Sequence, residues 1–278
     1  MAEIKREPAT AGELFFSAWE AYKKRALPIL AVILVGTGII GSLAVVMALF
    51  AGLGGALMIH SEIDRSWIIL LTGISSMLML ITAITGLWLH TVLLIIIIDE
   101  NPGVNEAFRR GWRYLRSMAW VTAIFSGLIV TGLLCGILPG ILFMVWFSFS
   151  FYILLEEDRK GMDALLASMA YVRGNWWNTF GRLTAVWLPF MLIGIIPFAG
   201  MLFSIFLYPF LLLFMADVYH DLKASRGGAE IPAGPGTRIL LWGIAAVGLI
   251  LPVIALIGAL LALLNGSSPW FEEAGYPY

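Results

Sequence analysis

Two long stretches without a charged residue dominate the first third of the chain, Ala26–Met58 and Ser66–Ile98. A helix needs about 20 predominantly apolar residues to cross the hydrocarbon core of a bilayer. Each stretch therefore predicts one transmembrane helix. Because both are longer than this minimum, we expect them to tilt or to project beyond the hydrocarbon.

The composition of the whole chain is typical of a membrane protein with several spans. Of the 278 residues, 60% are hydrophobic and 13% are charged, whereas a soluble domain has about 45–50% apolar and about 25% charged residues. The net charge of −1 provides no global field that would attract nucleic acid. The single cysteine, Cys135, lies in an apolar run, and we expect a small buried hydrophobe rather than a redox or metal residue.

Five further apolar segments complete the prediction of an all-α integral membrane protein with about seven transmembrane helices. They are about Met118–Leu138, Ile141–Leu155, Thr184–Pro197, Met201–Tyr219 and Arg238–Leu264. Pro139-Gly140 predicts a tight turn between the third and fourth spans, and the Gly- and Pro-rich residues 223–237 predict a cytoplasmic linker. The chain then divides into an N-terminal segment, a six-span core, the linker, a seventh span and a tail. Their bounds are 1–25, 26–222, 223–237, 238–264 and 265–278.

Three amphipathic segments predict helices that lie on the membrane surface and lead into a span. In Asp163–Leu183 the apolar residues recur at helical spacing and form one stripe. That stripe consists of Leu165, Met169, Val172, Trp176, Phe180 and Leu183. Ala11–Arg25 and Val104–Ser117 have similar apolar faces.

These segments also suggest an internal repeat. When Phe15 is aligned with Phe108 and Leu165, three more sets of positions coincide. They are Ala18, Gly111 and Ser168; Trp19, Trp112 and Met169; and Tyr22, Leu115 and Val172. We therefore expect three repeats of an amphipathic interfacial helix plus a transmembrane hairpin, with one added C-terminal span. The alternative is that any interfacial helix requires this periodicity.

The distribution of basic residues predicts the orientation. All of the 17 Lys and Arg residues except Arg65 fall in residues 1–25, 99–117, 156–183 and 220–238. The positive-inside rule places these segments in the cytoplasm. With seven spans, the N-terminus is then cytoplasmic and the C-terminus extracytoplasmic.

The second surface helix and a tryptophan pair are the candidates for binding lipids or a partner. The residues are Arg109, Arg110, Arg113, Arg116, Trp112, Trp176 and Trp177. A basic residue near an anionic membrane surface contributes about 1 kcal/mol to binding, and paired tryptophans are typical of interfacial anchors. The alternative is that the arginines only fix the topology.

A few polar residues fall inside predicted spans, where such groups often mark function. His90 is either a proton carrier or ligand contact, or a neutral histidine bonded to a neighbouring helix. Asp217 and Asp221 lie one helical turn apart with a histidine between them, so a cation site and a solvated helix end are both open. The spacing of Thr122 and Ser126 suits hydrogen bonds between helices.

Motifs for catalysis are absent from the sequence. It contains no HExxH, P-loop, GxSxG or CxxC pattern, so we expect no metal, no cofactor and no enzyme. No predicted span has Lys, Arg or Glu in its middle, which argues against a proton pump or an ion-coupled transporter.

One region resembles a known family. It comprises Pro139-Gly-Ile, the aromatic run 146–151 and Gly161–Trp177, which contains G-x-x-A-L-x-x-S. These segments resemble uncharacterised bacterial six-span inner-membrane proteins related to the membrane domain of glycerophosphoryl diester phosphodiesterases. The resemblance covers about residues 11–220 and implies that fold and a place in the bacterial inner (cytoplasmic) membrane. The phosphodiesterase activity of that family belongs to a separate soluble barrel, so the resemblance implies no catalytic residue here.

We expect a non-catalytic membrane scaffold or accessory subunit that binds membrane lipids and another membrane or extracytoplasmic protein. The seventh span and the aromatic tail offer surfaces that a repeat core does not need. The alternative is a carrier of lipids or small hydrophobic molecules, with a cavity between the hairpins.

Overall fold

The computed structural model describes residues 9–60, 65–99, 103–196, 199–226 and 234–264, which form ten α-helices. The helices are α1 (Ala11–Lys24), α2 (Ala26–His60), α3 (Arg65–Ile98), α4 (Val104–Cys135), α5 (Ile137–Phe147), α6 (Ser150–Glu156), α7 (Met162–Val172), α8 (Trp176–Gly194), α9 (Ala199–Arg226) and α10 (Pro235–Leu264). Residues 227–233 of the predicted linker and the whole predicted tail lie outside the described residues, whereas residues 223–226 belong to α9 and 235–237 to α10.

The described residues contain five segments that are long and apolar enough to cross a membrane. They are Ala26–Gly52, Leu70–Ile98, Val104–Cys135, Ile137–Glu156 and Pro235–Gly258. These segments support an all-helical membrane protein. Helices α8 and α9 occupy the predicted fifth and sixth spans, but they carry charged residues such as Arg182 and Asp221 and are not among the five. The count of seven and the repeat therefore stay predictions.

A single residue separates α1 from α2. Thr10 begins α1 with a capping box, because its Oγ1 accepts from Glu13 N at 3.3 Å and its N donates to Glu13 Oε2 at 2.8 Å. Arg25 ends α1, and its Nη1 donates to the carbonyl oxygen of Ile97. That bond satisfies a carbonyl in the last turn of α3 and ties the start of α2 to the end of α3.

The predicted surface helices differ from the observed ones in two places. Helix α4 runs through Ser117 and Met118 without a break, so the predicted division there is wrong. The reason is that both halves of α4 bury residues on one continuous face, including Gly111 and Val121. The third predicted surface helix is instead broken at Gly174, whose φ of +90° favours glycine.

Most of α7 is buried, so it does not lie on a surface with one face in water. Ser168 and Tyr171 are not members of the predicted apolar stripe, yet both are buried. Helices α5, α6 and α9 pack around α7 and cover the side that was expected to face solvent.

The predicted turn at Pro139-Gly140 is also wrong. The chain turns at Gly136, which has φ +137°, and Pro139 lies in the first turn of α5, where a backbone N–H has no partner within the helix. The predicted fourth span is two helices, α5 and α6, interrupted at Ser148 and Phe149. Cys135 ends α4 and is exposed, which corrects its predicted burial.

The core lies toward the end of the bundle that carries the basic segments. Its largest fully buried aromatic side chains are Phe147, Phe149, Tyr152, Tyr171, Phe214 and Tyr219. Where the side chains of α2 are described, the buried residues are Ile29, Val32 and Gly36, all in its first three turns, and on α3 the buried residues fall between Leu89 and Ile97. Residues 39–52 of α2 and 70–84 of α3 are largely exposed.

Helix α10 packs closely against α4 rather than standing apart from the core. A Cβ added at Gly248 would lie 1.9 Å from the carbonyl oxygen of Gly127, so only glycine permits this approach of the two backbones. The hydroxyl of Thr131 donates to the carbonyl oxygen of Ile244 at 2.6 Å. Small residues at a crossing are a common basis of helix association in membranes.

Candidate functional site

A polar network connects the loop after α6 to α7 and α9. Glu157 Oε1 accepts hydrogen bonds from the hydroxyls of Tyr171 and Tyr219, both at 2.8 Å. The Nζ of Lys223 lies 3.3 Å from the same oxygen, and the Nε of Arg159 lies 3.0 Å from Oε2. One carboxylate therefore joins three parts of the fold.

The electrostatics of this network favour the charged forms. Burial acts to raise the pKa of Glu157, but hydrogen bonds from Tyr171 and Tyr219 and the charge of Lys223 outweigh it, so its pKa is lowered. Burial acts to lower the pKa of Lys223, but Glu156 and Glu157 outweigh it and raise its pKa. The Nζ of Lys223 is 2.7 Å from Glu156 Oε1. These ion pairs hold the helix ends together.

A second ion pair, between Arg182 and Asp221, also binds the backbone of Ala9, the first described residue. The guanidinium of Arg182 is 5% exposed, and its Nη1 lies 2.7 Å from Asp221 Oδ2. Its Nη2 donates to the carbonyl oxygen of Ala9, and the N of Ala9 donates to Asp221 Oδ1 at 3.3 Å. This Arg182–Asp221–Ala9 clasp joins α8, α9 and the segment before α1.

The clasp bears directly on the predicted cation site. Asp221 pairs with Arg182, His220 Nε2 lies 3.0 Å from Glu156 Oε2, and Asp217 interacts with Ser17 of α1. The two carboxylates and the histidine thus face different partners. Within the described ranges, no group of three or more His, Cys, Asp or Glu residues is placed to hold a metal ion.

A side chain of α7 fills the break between α5 and α6. The hydroxyl of Ser168 donates to the carbonyl oxygen of Trp146 at 2.8 Å and accepts from Phe149 N at 3.1 Å. Since an unpaired backbone group is costly away from water, these bonds allow a helix to be interrupted inside the protein. The serine of the G-x-x-A-L-x-x-S pattern is therefore a structural residue.

A cavity of about 550 Å³, largely open on one side, lies beside His90, between α3, α4 and α6. The Nδ1 of His90 is 2.6 Å from the hydroxyl of Tyr208 on α9, and Phe151 contacts the imidazole edge-to-face at 5.8 Å. Thr122 also lines the cavity, and its hydroxyl oxygen is buried without a hydrogen-bond partner among the described residues. The predicted hydrogen bond between helices is therefore not formed by Thr122.

The candidate interface residues form an exposed surface on the first half of α4 and at the start of α8. Arg110 pairs with Asp99, whereas the other three arginines are exposed and have no ion-pair partner in the described part of the chain. These three are Arg109, Arg113 and Arg116. Trp112 is 66% and Trp177 79% exposed, while Trp176 is half-buried and stacks on Phe180.

Sequence reasoning missed the roles of Arg182, Ser168 and Glu157. Arg182 looked like a polar-face residue, and its partner on α9 is remote in sequence. The signal for Ser168 was the repeat alignment, where Ala18, Gly111 and Ser168 coincide, because all three are buried small residues. Comparisons with family models, curated proteins and solved structures gave no match to this chain.

Proposed function

We propose that the chain is a non-catalytic integral membrane scaffold or accessory subunit that binds lipids and a partner membrane or extracytoplasmic protein. The observation that supports this most directly is the exposed basic and aromatic surface formed by Arg109, Arg113, Arg116 and Trp112. It stands on α4, the helix that packs against α3, α5 and α10, so it is presented on a firmly held element.

The position of this surface suits an anionic ligand at the membrane boundary. Arginines form bidentate hydrogen bonds with phosphate, and an exposed tryptophan beside them suits the interface between headgroups and acyl chains. In this proposal the basic segments face the cytoplasm, the chain has seven spans in a bacterial inner membrane, and its fold is that of the family it resembles. Reporter fusions after Asp64 and after Arg113 test the orientation, since it requires them to report opposite compartments.

Lipid binding is tested by replacing the three exposed arginines of α4 with glutamine. At about 1 kcal/mol each, their loss should weaken retention of phosphatidylglycerol by the purified protein about 100-fold, measured by native mass spectrometry. A variant with glutamine at Lys24, Lys160 and Arg173 removes the same charge from scattered exposed positions. If both variants retain the lipid equally well, the α4 surface is not the lipid site.

Partner binding is assigned to the outward face of α10. Ile250, Ile254 and Ile257 recur at helical spacing and are exposed, whereas α10 packs against α4 only over its first half, up to Gly248. Deleting residues 224–278 would uncover Gly127 and disturb the core, so alanine at the three isoleucines is the sharper test. We expect a co-purifying membrane protein to be lost, whereas alanine at Leu34, Val45 and Leu49 of α2 should leave it in place. Recovery of the partner with the α10 variant contradicts this assignment.

A second function, the carriage of lipids or small hydrophobic molecules, is favoured by the cavity beside His90. The cavity has the volume of a small-molecule site and lies between predicted hairpins. The test is movement of a fluorescent lipid across vesicles that contain the purified protein. Movement no faster than in protein-free vesicles would exclude a carrier.

A further inference from the structure

We infer that the cavity beside His90 binds an uncharged, membrane-soluble molecule that presents a carbonyl oxygen. This inference takes from the second proposed function only that the cavity is a binding site, and it names the class of ligand. It does not require the ligand to be moved across the membrane.

The wall of the cavity selects a neutral ligand. Its lining includes Ile84, Leu87, Phe125 and Phe151 and contains no Lys, Arg, Asp or Glu. A charged headgroup placed there would lose its hydration without gaining an ion pair, which is costly. A volume of 550 Å³ suits a ring with a short chain or part of an acyl lipid.

Two polar groups on the wall give the cavity its preference for an acceptor. Thr122 lines the cavity, and its hydroxyl oxygen is buried just behind the wall without a partner among the described residues, so rotation of this side chain toward the cavity would let the hydroxyl donate to a ligand. Ser126, one helical turn further along α4, provides a second hydroxyl to the same cavity. A carbonyl oxygen can accept two hydrogen bonds, and these two hydroxyls are donors that the wall can offer to it.

His90 can add a third donor. Its Nδ1 lies 2.6 Å from the hydroxyl of Tyr208, and a neutral imidazole that accepts from a phenol at Nδ1 carries its proton at Nε2. In the described part of the chain this is the only hydrogen bond of the ring. Tyr208 therefore acts as a positioning residue, because its hydrogen bond fixes the orientation of the His90 ring.

The cavity is accessible from the side of the bundle. Ala83 and Ile84 on α3 and Ser126 on α4 line it and are also exposed. In a membrane that side faces the acyl chains, so a molecule dissolved in the bilayer reaches the cavity without crossing water. Lipid quinones, with ring carbonyls, and diacylglycerols, with ester carbonyls, are the two sources of such a ligand.

The experiment measures binding of decylubiquinone and dioctanoylglycerol to the full chain in lipid nanodiscs, with dodecane as a probe that lacks a carbonyl. A Cβ at Gly86, which lines the cavity, would meet no atom within 4 Å, so Gly86→Leu should fill the cavity without disturbing the helix. We expect at least a tenfold loss of affinity. Gly73→Leu is the matched control, because Gly73 is on the same helix, is equally open and does not line the cavity.

A second variant tests the polar part and keeps the packing. Thr122→Val removes the hydroxyl with little change in shape and should weaken binding of the carbonyl probes about fivefold. Thr82→Val should have no effect, since the Thr82 hydroxyl is already bonded to the carbonyl oxygen of Leu78 at 2.8 Å. If only decylubiquinone or only dioctanoylglycerol binds, the ligand is a quinone or a diacylglycerol, respectively. If both bind, the carbonyl group is the feature that the cavity recognises.

Three results would overturn the inference. They are the absence of binding by both carbonyl probes, equal binding of dodecane, and full affinity in either the Gly86→Leu or the Thr122→Val variant. Binding without movement of lipid across vesicles would remove the carrier function and leave this inference standing.

Discussion

The half of the bundle next to the basic segments and the opposite half are stabilised by different contacts. In the first half, Tyr152, Tyr171 and Tyr219 are buried together and ion pairs connect the helix ends. In the second half, residues such as Leu34 and Met79 are exposed. The difference shows that contacts within the chain fix one half, while acyl chains must cover the other, so the two halves depend on the bilayer to different degrees.

The largest effect is expected from Arg182→Met in the packed half. The change leaves Asp221 and the backbone of Ala9 without their buried partner, and breaking such a pair costs about 3–5 kcal/mol. Unfolding in detergent, followed by tryptophan fluorescence, measures the loss. The exposed Arg173→Met should change the free energy of unfolding by no more than about 0.5 kcal/mol. Equal stability of the two variants would show that the clasp does not stabilise the protein.

The next effect concerns α10, which packs against α4 only over its first part. Gly248→Val places a Cβ where the carbonyl oxygen of Gly127 lies 1.9 Å away, so the helices must separate at a cost of about 1–3 kcal/mol. Gly243→Val is the matched control, because a Cβ there meets no atom within 4 Å. If both variants unfold at the same denaturant concentration, the contact between α4 and α10 contributes nothing.

The pH dependence of the packed half follows from Glu157. Its pKa is lowered in the folded protein, so its stabilisation is fully present above the unfolded pKa of about 4.3 and is lost as the pH falls through the folded pKa. Lys223 has a raised pKa, so its stabilisation is present below about pH 10.4 and is lost as the pH rises through the folded pKa.

Glu157→Gln should therefore lower the free energy of unfolding by about 1–3 kcal/mol at pH 7. It should also reduce the decrease of this free energy as the pH falls below about 5. The measurement is a series of unfolding curves between pH 3 and pH 8. Asp158→Asn is the control, since the Asp158 side chain is 62% exposed. An unchanged decrease of the free energy of unfolding at low pH in Glu157→Gln would assign the pH dependence to other groups.

The smallest effect is expected in the opposite half. Leu34→Ala should change the free energy of unfolding by about 0.5 kcal/mol or less, because acyl chains replace the missing methyl groups. Leu94→Ala removes the same atoms from a fully buried position and should cost about 2–5 kcal/mol. Similar losses for the two variants would mean that the halves do not differ as described.

Long apolar runs were sufficient to predict the first two membrane helices. Ala26–Met58 and Ser66–Ile98 end within two residues of α2 and α3, because nothing inside these runs interrupts a helix. Such runs contain no information on which helix packs against which. The packing of α10 on α4 depends on Gly127 and Gly248 meeting across the bundle, and glycines elsewhere in the spans look the same in sequence.

The breaks and the buried charges depend on partners far away in the chain. The interruption at Ser148 requires hydrogen bonds between the backbone and Ser168 of another helix. The sequence around Ser148 does not predict these bonds. Arg182 has the helical spacing of a solvent-facing residue, and only the position of Asp221 on α9 shows why it is buried. The cavity beside His90 is likewise a product of packing, although the polar residue itself was a candidate.

The clasp on Ala9 has a consequence for biosynthesis. Its acidic partner lies 212 residues further along the chain, and at about 5–20 residues per second a ribosome needs about 10–40 s to make that length. The guanidinium of Arg182, 173 residues from Ala9, is made earlier, but the carboxylate that pairs with it is absent until the end of this interval. Closure of the clasp therefore has to wait until both α8 and α9 have been made, and it then connects them to the segment before α1.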